Sequence, residues 1–230
     1  MGMESSPFKL ILGSSSMARR QILTELGYEF TIITADIDEK GIRMEKPEEL
    51  VVALAEAKAD AIISRVNITG PLEEDARPTL LITADTASQA AFWFWVGLSS
   101  EVKSYLHLIG IEVVVYEGTI REKPSSKEEA RQFIKGYSGG VATVVGSVVV
   151  TNLTTGNRKR GWDRSEVYFH DIPDEVIDSL VEEEIMLNVA GGLMLEHPLT
   201  MPFIDTVVGT ADSVMGLSKA LTEKLIQEAL

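Results

Sequence analysis

Residues 12–23, LGSSSMARRQIL, gather three hydroxyls and two guanidiniums around one turn. KLIL at 9–12 is a short apolar run bounded by Gly13, and it reads as a buried strand. Beyond the serines, Ile22, Leu23 and Leu26 recur at helical spacing, which predicts a helix over 17–26. The N-terminus of a helix presents unpaired N–H groups and a partial positive charge. Ser14, Ser16, Arg19 and Arg20 at that point make a cradle suited to a chain of phosphates. The same residues would serve equally as a serine cap followed by two solvated arginines, so the rest of the chain has to decide.

Other ionisable groups sit in telling places. Asp85 ends the apolar run LLITAD at 80–85, and open α/β sheets bind ligands at the carboxyl ends of their strands. A turn-capping aspartate would occupy the same position. On the segment 47–66, Val51, Leu54, Ala55, Lys58 and Ile62 form one helical stripe, which places a lysine on an apolar face. Such a lysine either snorkels to solvent or meets a buried anion. Lys123 precedes Pro124, which restricts the chain around it. Asp36, Asp38 and Glu39 form an acidic cluster that on its own is a solvated loop as readily as a site.

These groups need a scaffold. Strands are expected at 9–12, 28–33, 80–85, 141–152, 166–170 and 203–208. Helices are expected at 17–26, 47–66, 126–135 (stopped by Gly136), 174–183 and 217–230. The alternation is that of an α/β protein with mixed strand directions.

Several further segments follow the serine-arginine turn: ADIDEK at 35–40, ALAEAKADAI at 53–62, ITADT at 82–86, REKP at 121–124, GYSG at 136–139, SEVYF at 165–169, NVAGGLMLEH at 188–197 and SVMGL at 213–217. In this order they resemble the Maf family of nucleoside triphosphate pyrophosphatases, most closely its plant-type members. The likeness covers 9–86 and 113–226. It implies a single Maf-like domain over 1–230, with a mixed twisted sheet flanked by helices and a nucleotide cleft between two lobes. It also implies hydrolysis of a nucleoside triphosphate to the monophosphate and pyrophosphate, a divalent cation (Mg2+ or Mn2+) and a homodimer. The resemblance makes Asp85 the general base and, with Glu39, the carboxylate beside the metal. Lys58 belongs to the catalytic set as a phosphate-contacting lysine, and Lys123 is the second such lysine. Ser14, Ser16, Arg19 and Arg20 complete the phosphate cradle. Glu196 stands where relatives acting on dTTP and UTP carry Gln and the 7-methyl-GTP branch carries Glu. A carboxylate only accepts, which suits the N1–H and N2–H donors of guanine. Met17-Ala18 also follows the 7-methyl-GTP branch, whereas Ala84-Asp85-Thr86 follows the other, so the base stays open.

One stretch departs from the family pattern. Thr86 is followed by ASQAAFWFWVGLSSEVKSYLHLIGIE, a 26-residue insertion at 87–112, before the expected text resumes at Val113. Its place beside Asp85 keeps a second reading open, a catalytically impaired form that only binds nucleotide or acts as a dimerisation partner. Bulk properties narrow the rest. A net charge of −14 argues against a nucleic-acid groove but not against a local basic pocket for one nucleotide. Cysteine is absent, which excludes thiolate chemistry and disulfides. AAFWFWVGL is too short for a membrane span, so no membrane partner is expected. MGMESSPF lacks the apolar core of a signal peptide, although Gly2 and Ser6 fit the loose lipidation pattern, and a cytoplasmic location is expected.

Overall fold

The computed structural model describes residues 7–35, 37–66, 77–86, 114–192, 194–195 and 197–230. Gly2, Asp36, Glu196 and the insertion 87–112 lie outside them. The described strands form one mixed sheet, in the order β2 (Thr31–Ile32), β1 (Lys9–Leu12), β3 (Thr79–Thr86), β6 (Val141–Asn152), β4 (Val114–Tyr116), β5 (Thr119–Arg121). β7 (Arg158–Phe169) lies along the other edge of β6, and β8 (Ile204–Val208) lies outside β7. β1 runs parallel to both β2 and β3, and every other pairing is antiparallel.

β6 is the spine. Its sequence VATVVGSVVVTN is buried from Ala142 onward, with no alternation, because both faces are covered. On one face lies α2 (Pro47–Arg65), where the Ser147 and Thr83 hydroxyls donate to the Val51 and Ala55 carbonyls at 2.7 and 2.9 Å. On the other, Val148 and Val150 pack with Leu225, Ile226 and Ala229 of α6 (Lys219–Ala229) and with Ile22 and Leu23 of α1 (Met17–Glu25). Ala142 and Val144, further back on β6, join a second core. It is built on α3 (Lys127–Tyr137), α4 (Asp174–Glu182) and Leu50 and Leu54 of α2. Two cores are thus strung along one strand.

The differences from the sequence reading have local causes. The strand expected at 28–33 pairs only at Thr31–Ile32, opposite Ile11 and Leu12. β7 begins well before 166, because RKRGWDR, too polar to read as a strand, is held along β6 from Thr151↔Arg158 onward. Gly136 does not stop α3. The helix runs through it to Tyr137, and a Cβ there would meet the Arg121 guanidinium at 3.0 Å, so glycine serves close approach instead. The β4–β5 hairpin turns at Glu117 and Gly118, both at positive φ (49° and 76°), the geometry of a type I′ turn.

One register fact bears on the insertion. β3 and β4 both run antiparallel to β6 on the side away from β7. β3 ends with Thr86 opposite Gly146, and β4 begins with Val114 opposite Val144. Only Val145 lies between their partners, while 87–113 lies between the strands in sequence.

Candidate active site

The carboxyl ends of the parallel pair β1 and β3 converge on the serine-arginine loop. The Gly13 N–H donates to the Ile82 carbonyl at 2.7 Å, and a Cβ at Gly13 would overlap Thr83 Cγ2 at 2.6 Å. Only glycine lets the loop leave β1 this close to β3. Ser14 Oγ then accepts from the Ser16 N–H at 3.2 Å and from Arg19 Nη1 at 3.1 Å. Ser16 caps α1 through the Arg19 N–H. Asp85 takes the place opposite Ser147 on the same stretch of β3.

The arginine pair divides its work. Arg19 is 5 % exposed, and its Nε donates to the Gly216 carbonyl at 3.0 Å. Gly216 follows α5 (Ala211–Val214), which Ser213 ties to β7 by donating to Asp163 at 2.6 Å. Arg19 therefore braces the loop against the C-terminal segment. Arg20 is half-buried, its Nη1 reaches only the Met17 sulfur at 3.8 Å, and its buried Nε has no hydrogen-bond partner among the described residues. An orphaned buried donor is costly, and a bound anion would satisfy it. Arg20→Met is accordingly expected to raise KM for a triphosphate about tenfold or more, as loss of a charge-assisted bond worth about 1.5–3 kcal/mol does, with Tm unchanged. Arg19→Met is expected to lower Tm. Thermal melts and steady-state kinetics on both variants check this, and the reverse assignment of effects would refute it.

Across the sheet, Lys58 Nζ meets Glu39 Oε1 at 3.1 Å, with both side chains at or below 7 % exposure. The apolar stripe on α2 is as the spacing requires: Leu50, Val51, Leu54, Ala55, Lys58, Ala59 and Ile62 are all buried. Lys58 does not snorkel; it meets a buried carboxylate. Glu39 opens a 3-10 turn, Glu39–Gly41, that carries it inward, whereas Asp38 in the same cluster stays exposed. Desolvating an ion pair is expensive, and removing one partner of a buried pair costs about 3–5 kcal/mol. Such a pair is poor economy for stability alone and suits a site for charged ligands.

Lys123 stands on the far rim. With Arg43, Leu50, Glu122, Ser125 and Phe133 it lines a cavity of about 660 Å3, bridged by an Arg43–Glu122 ion pair at 3.2 Å. Leu50 lies eight residues before Lys58 on one face of α2, about 12 Å along the helix at 1.5 Å per residue. One helix face thus leads from the cavity to the buried pair. The structure joins Glu39 directly to Lys58 and sets Ser14, Ser16 and the arginines beside the end of β3, while Lys123 comes from the segment after β5 (Thr119–Arg121). Arg43 and Glu122 were not singled out from sequence. Glu122 adjoins Lys123 in REKP, but nothing in the spacing around Arg43 marks it.

The chain is similar over nearly its whole length to several named pyrophosphatases. A 7-methyl-GTP pyrophosphatase of Dictyostelium discoideum is 33% identical, over 95% of this chain and 96% of that protein. A dTTP/UTP pyrophosphatase of Alkaliphilus metalliredigens is 28% identical over 91% of this chain and 90% of its own length. A nucleoside triphosphate pyrophosphatase of Salinispora tropica is 26% identical over 97% and 85%. The model of the family described as Maf-like protein matches residues 9–229, nearly the whole chain, and the chain belongs to that family.

Proposed function

We propose that this chain is a nucleoside triphosphate pyrophosphatase, cleaving between the α and β phosphorus atoms to release pyrophosphate and leave the monophosphate. The buried Glu39–Lys58 pair at 3.1 Å carries the reading, because it sets a carboxylate and an ammonium side by side where phosphate and cation would meet. The relatives' names support the reaction class. Among the described residues no helix is long and apolar enough to cross a membrane. A cytoplasmic location and a homodimer belong to the same proposal.

Arg20 and Lys123 hold the phosphate chain, Lys58 offsets its charge, and Asp85 takes the proton of the attacking water. Positioning and electrostatics of this kind do most of the work in phosphoryl chemistry. Among the described residues no group of three His, Cys, Asp or Glu is placed to hold a metal. Mg2+ is commonly held by one or two carboxylates plus substrate phosphates, and oxygen donors such as Glu39 and Asp85 fit it. When bound, the cation lowers the pKa of water and neutralises phosphate charge. For the base, the relative at 33% identity supports a guanine-type substrate over uracil or thymine. A panel of 7-methyl-GTP, GTP, dTTP and UTP with Mg2+ is expected to release pyrophosphate, fastest from 7-methyl-GTP. Release of orthophosphate alone would overturn the reaction class, and a preference for UTP or dTTP would overturn the base.

A further inference from the structure

We propose that Arg121 is a positioning residue for Lys123, clamping the loop that carries this lysine to α3 and to the 3-10 turn at Ala190–Gly192. This rests on the phosphate-binding reading of Lys123.

The hairpin that delivers Lys123 is weakly tied to the sheet. Among the described residues β4 pairs with β6 only at Val114↔Val144 and Val115↔Thr143, and β5 pairs only with β4. Side-chain packing has to supply the rest, and Arg121 supplies it. Its guanidinium lies 4.0 Å from the centroid of Tyr116, 4.7 Å from Phe133 and 5.0 Å from Tyr137. Its Nη1 donates to the Phe133 carbonyl at 3.0 Å. A cation enclosed by three ring systems has both its charge and its plane satisfied. Arg121 thus joins the hairpin (Tyr116) to α3 (Phe133, Tyr137) two residues before Lys123. The glycine at 136 lets the helix approach this closely.

The clamp continues to the next loop. The Tyr137 hydroxyl donates to the Gly191 carbonyl at 2.9 Å, and burial pushes its pKa up to about 12, so the donor stays protonated at any ordinary pH. The Gly191 N–H donates to the Glu122 carbonyl at 2.9 Å, directly before Lys123. Gly191 has φ of +59°, and a Cβ there would meet Tyr137 Oη at 2.5 Å and Val114 Cγ2 at 2.7 Å. Arg121, Tyr137, Gly191 and Glu122 therefore close a ring of contacts around the base of the lysine. A displacement of about 1 Å at a positioned group can cost roughly 10²-fold.

The test uses the full chain with two readouts. Hydrogen exchange at the Gly191 amide reads the clamp directly and needs no ligand. Binding of inorganic tripolyphosphate, followed by calorimetry, reads Lys123. Arg121→Met is expected to speed Gly191 exchange about tenfold or more and to weaken tripolyphosphate as much as Lys123→Met does. Arg121→Lys, which keeps charge but not the planar fork, is expected to recover part of the binding. The double variant is expected to bind no more weakly than Lys123→Met alone, because the two act through one group. Additive losses, or unchanged Gly191 exchange, would overturn the positioning role. Failure of the parent chain to bind tripolyphosphate would instead overturn the phosphate reading of Lys123. Should Arg121→Met not fold, Tyr116→Leu removes the nearest ring and is expected to give the same two changes on a smaller scale; no change in either would count against the clamp.

Discussion

Asp85→Asn is expected to lower turnover by about 10²–10⁴-fold, the usual weight of a general base, with triphosphate affinity largely kept. An amide keeps the shape of the carboxylate but can neither accept the proton of an attacking water nor bring a negative oxygen to a cation. The expectation comes from place. Asp85 lies near the carboxyl end of β3, beside the loop that Gly13 brings against Ile82. It stands opposite Ser147, whose hydroxyl is committed to α2 at Val51. Single-turnover rates under saturating Mg2+ separate chemistry from binding. Turnover within about threefold of the parent, far short of that weight, would remove Asp85 from the mechanism.

Deleting 87–112 is expected to raise both Tm and kcat/KM. The deletion joins Thr86 to Val113, and the β6 ladder has room for one residue there, opposite Val145 between Gly146 and Val144. β3 would then run on into β4 with its register unchanged and with the same faces presented, since strand register is set in steps of one residue. The hairpin carrying Lys123 would gain direct covalent continuity with the strand carrying Asp85. Loop entropy is a minor part of the gain, because each doubling of loop length costs only about 0.6 kcal/mol. Geometry matters more. The interruption falls one residue after Asp85, and a shift of about 1 Å at a catalytic group can cost roughly 10²-fold. The excised stretch also carries AFWFW at 91–95, a cluster of rings that lowers solubility wherever it stays uncovered. Equal melting temperatures and equal kcat/KM in the two chains would mean that 87–112 is accommodated without cost to the site.

Local pattern carried far in this chain. Periodicity and start signals placed α2 and the stripe that buries Lys58, and 141–152 was legible as a strand; that β6 is covered on both faces emerged only from the fold. Where the fold departed from expectation, a neighbour outvoted the local signal. Gly136 lies within α3 and leaves room for Arg121 rather than ending the helix, and the polar first half of β7 is a strand because β6 offers it a ladder.

By itself the sequence determined the alternation of strands and helices, the glycine-serine turn with its arginines, and the place of Asp85 at the end of an apolar strand. These are properties of neighbours in the chain, governed by side-chain period and turn chemistry. Tertiary structure alone decided which of several equivalent charges face inward. Glu39 is buried against Lys58 of α2, whereas Asp38 beside it is exposed. Arg19 and Arg20 are adjacent and identical in type, yet one braces Gly216 and the other holds a buried donor with no partner among the described residues. Arg121 finds its three rings on two separate elements. Each of these outcomes depends on groups distant in sequence, and on the cost of burying a charge without a partner, which no local pattern records.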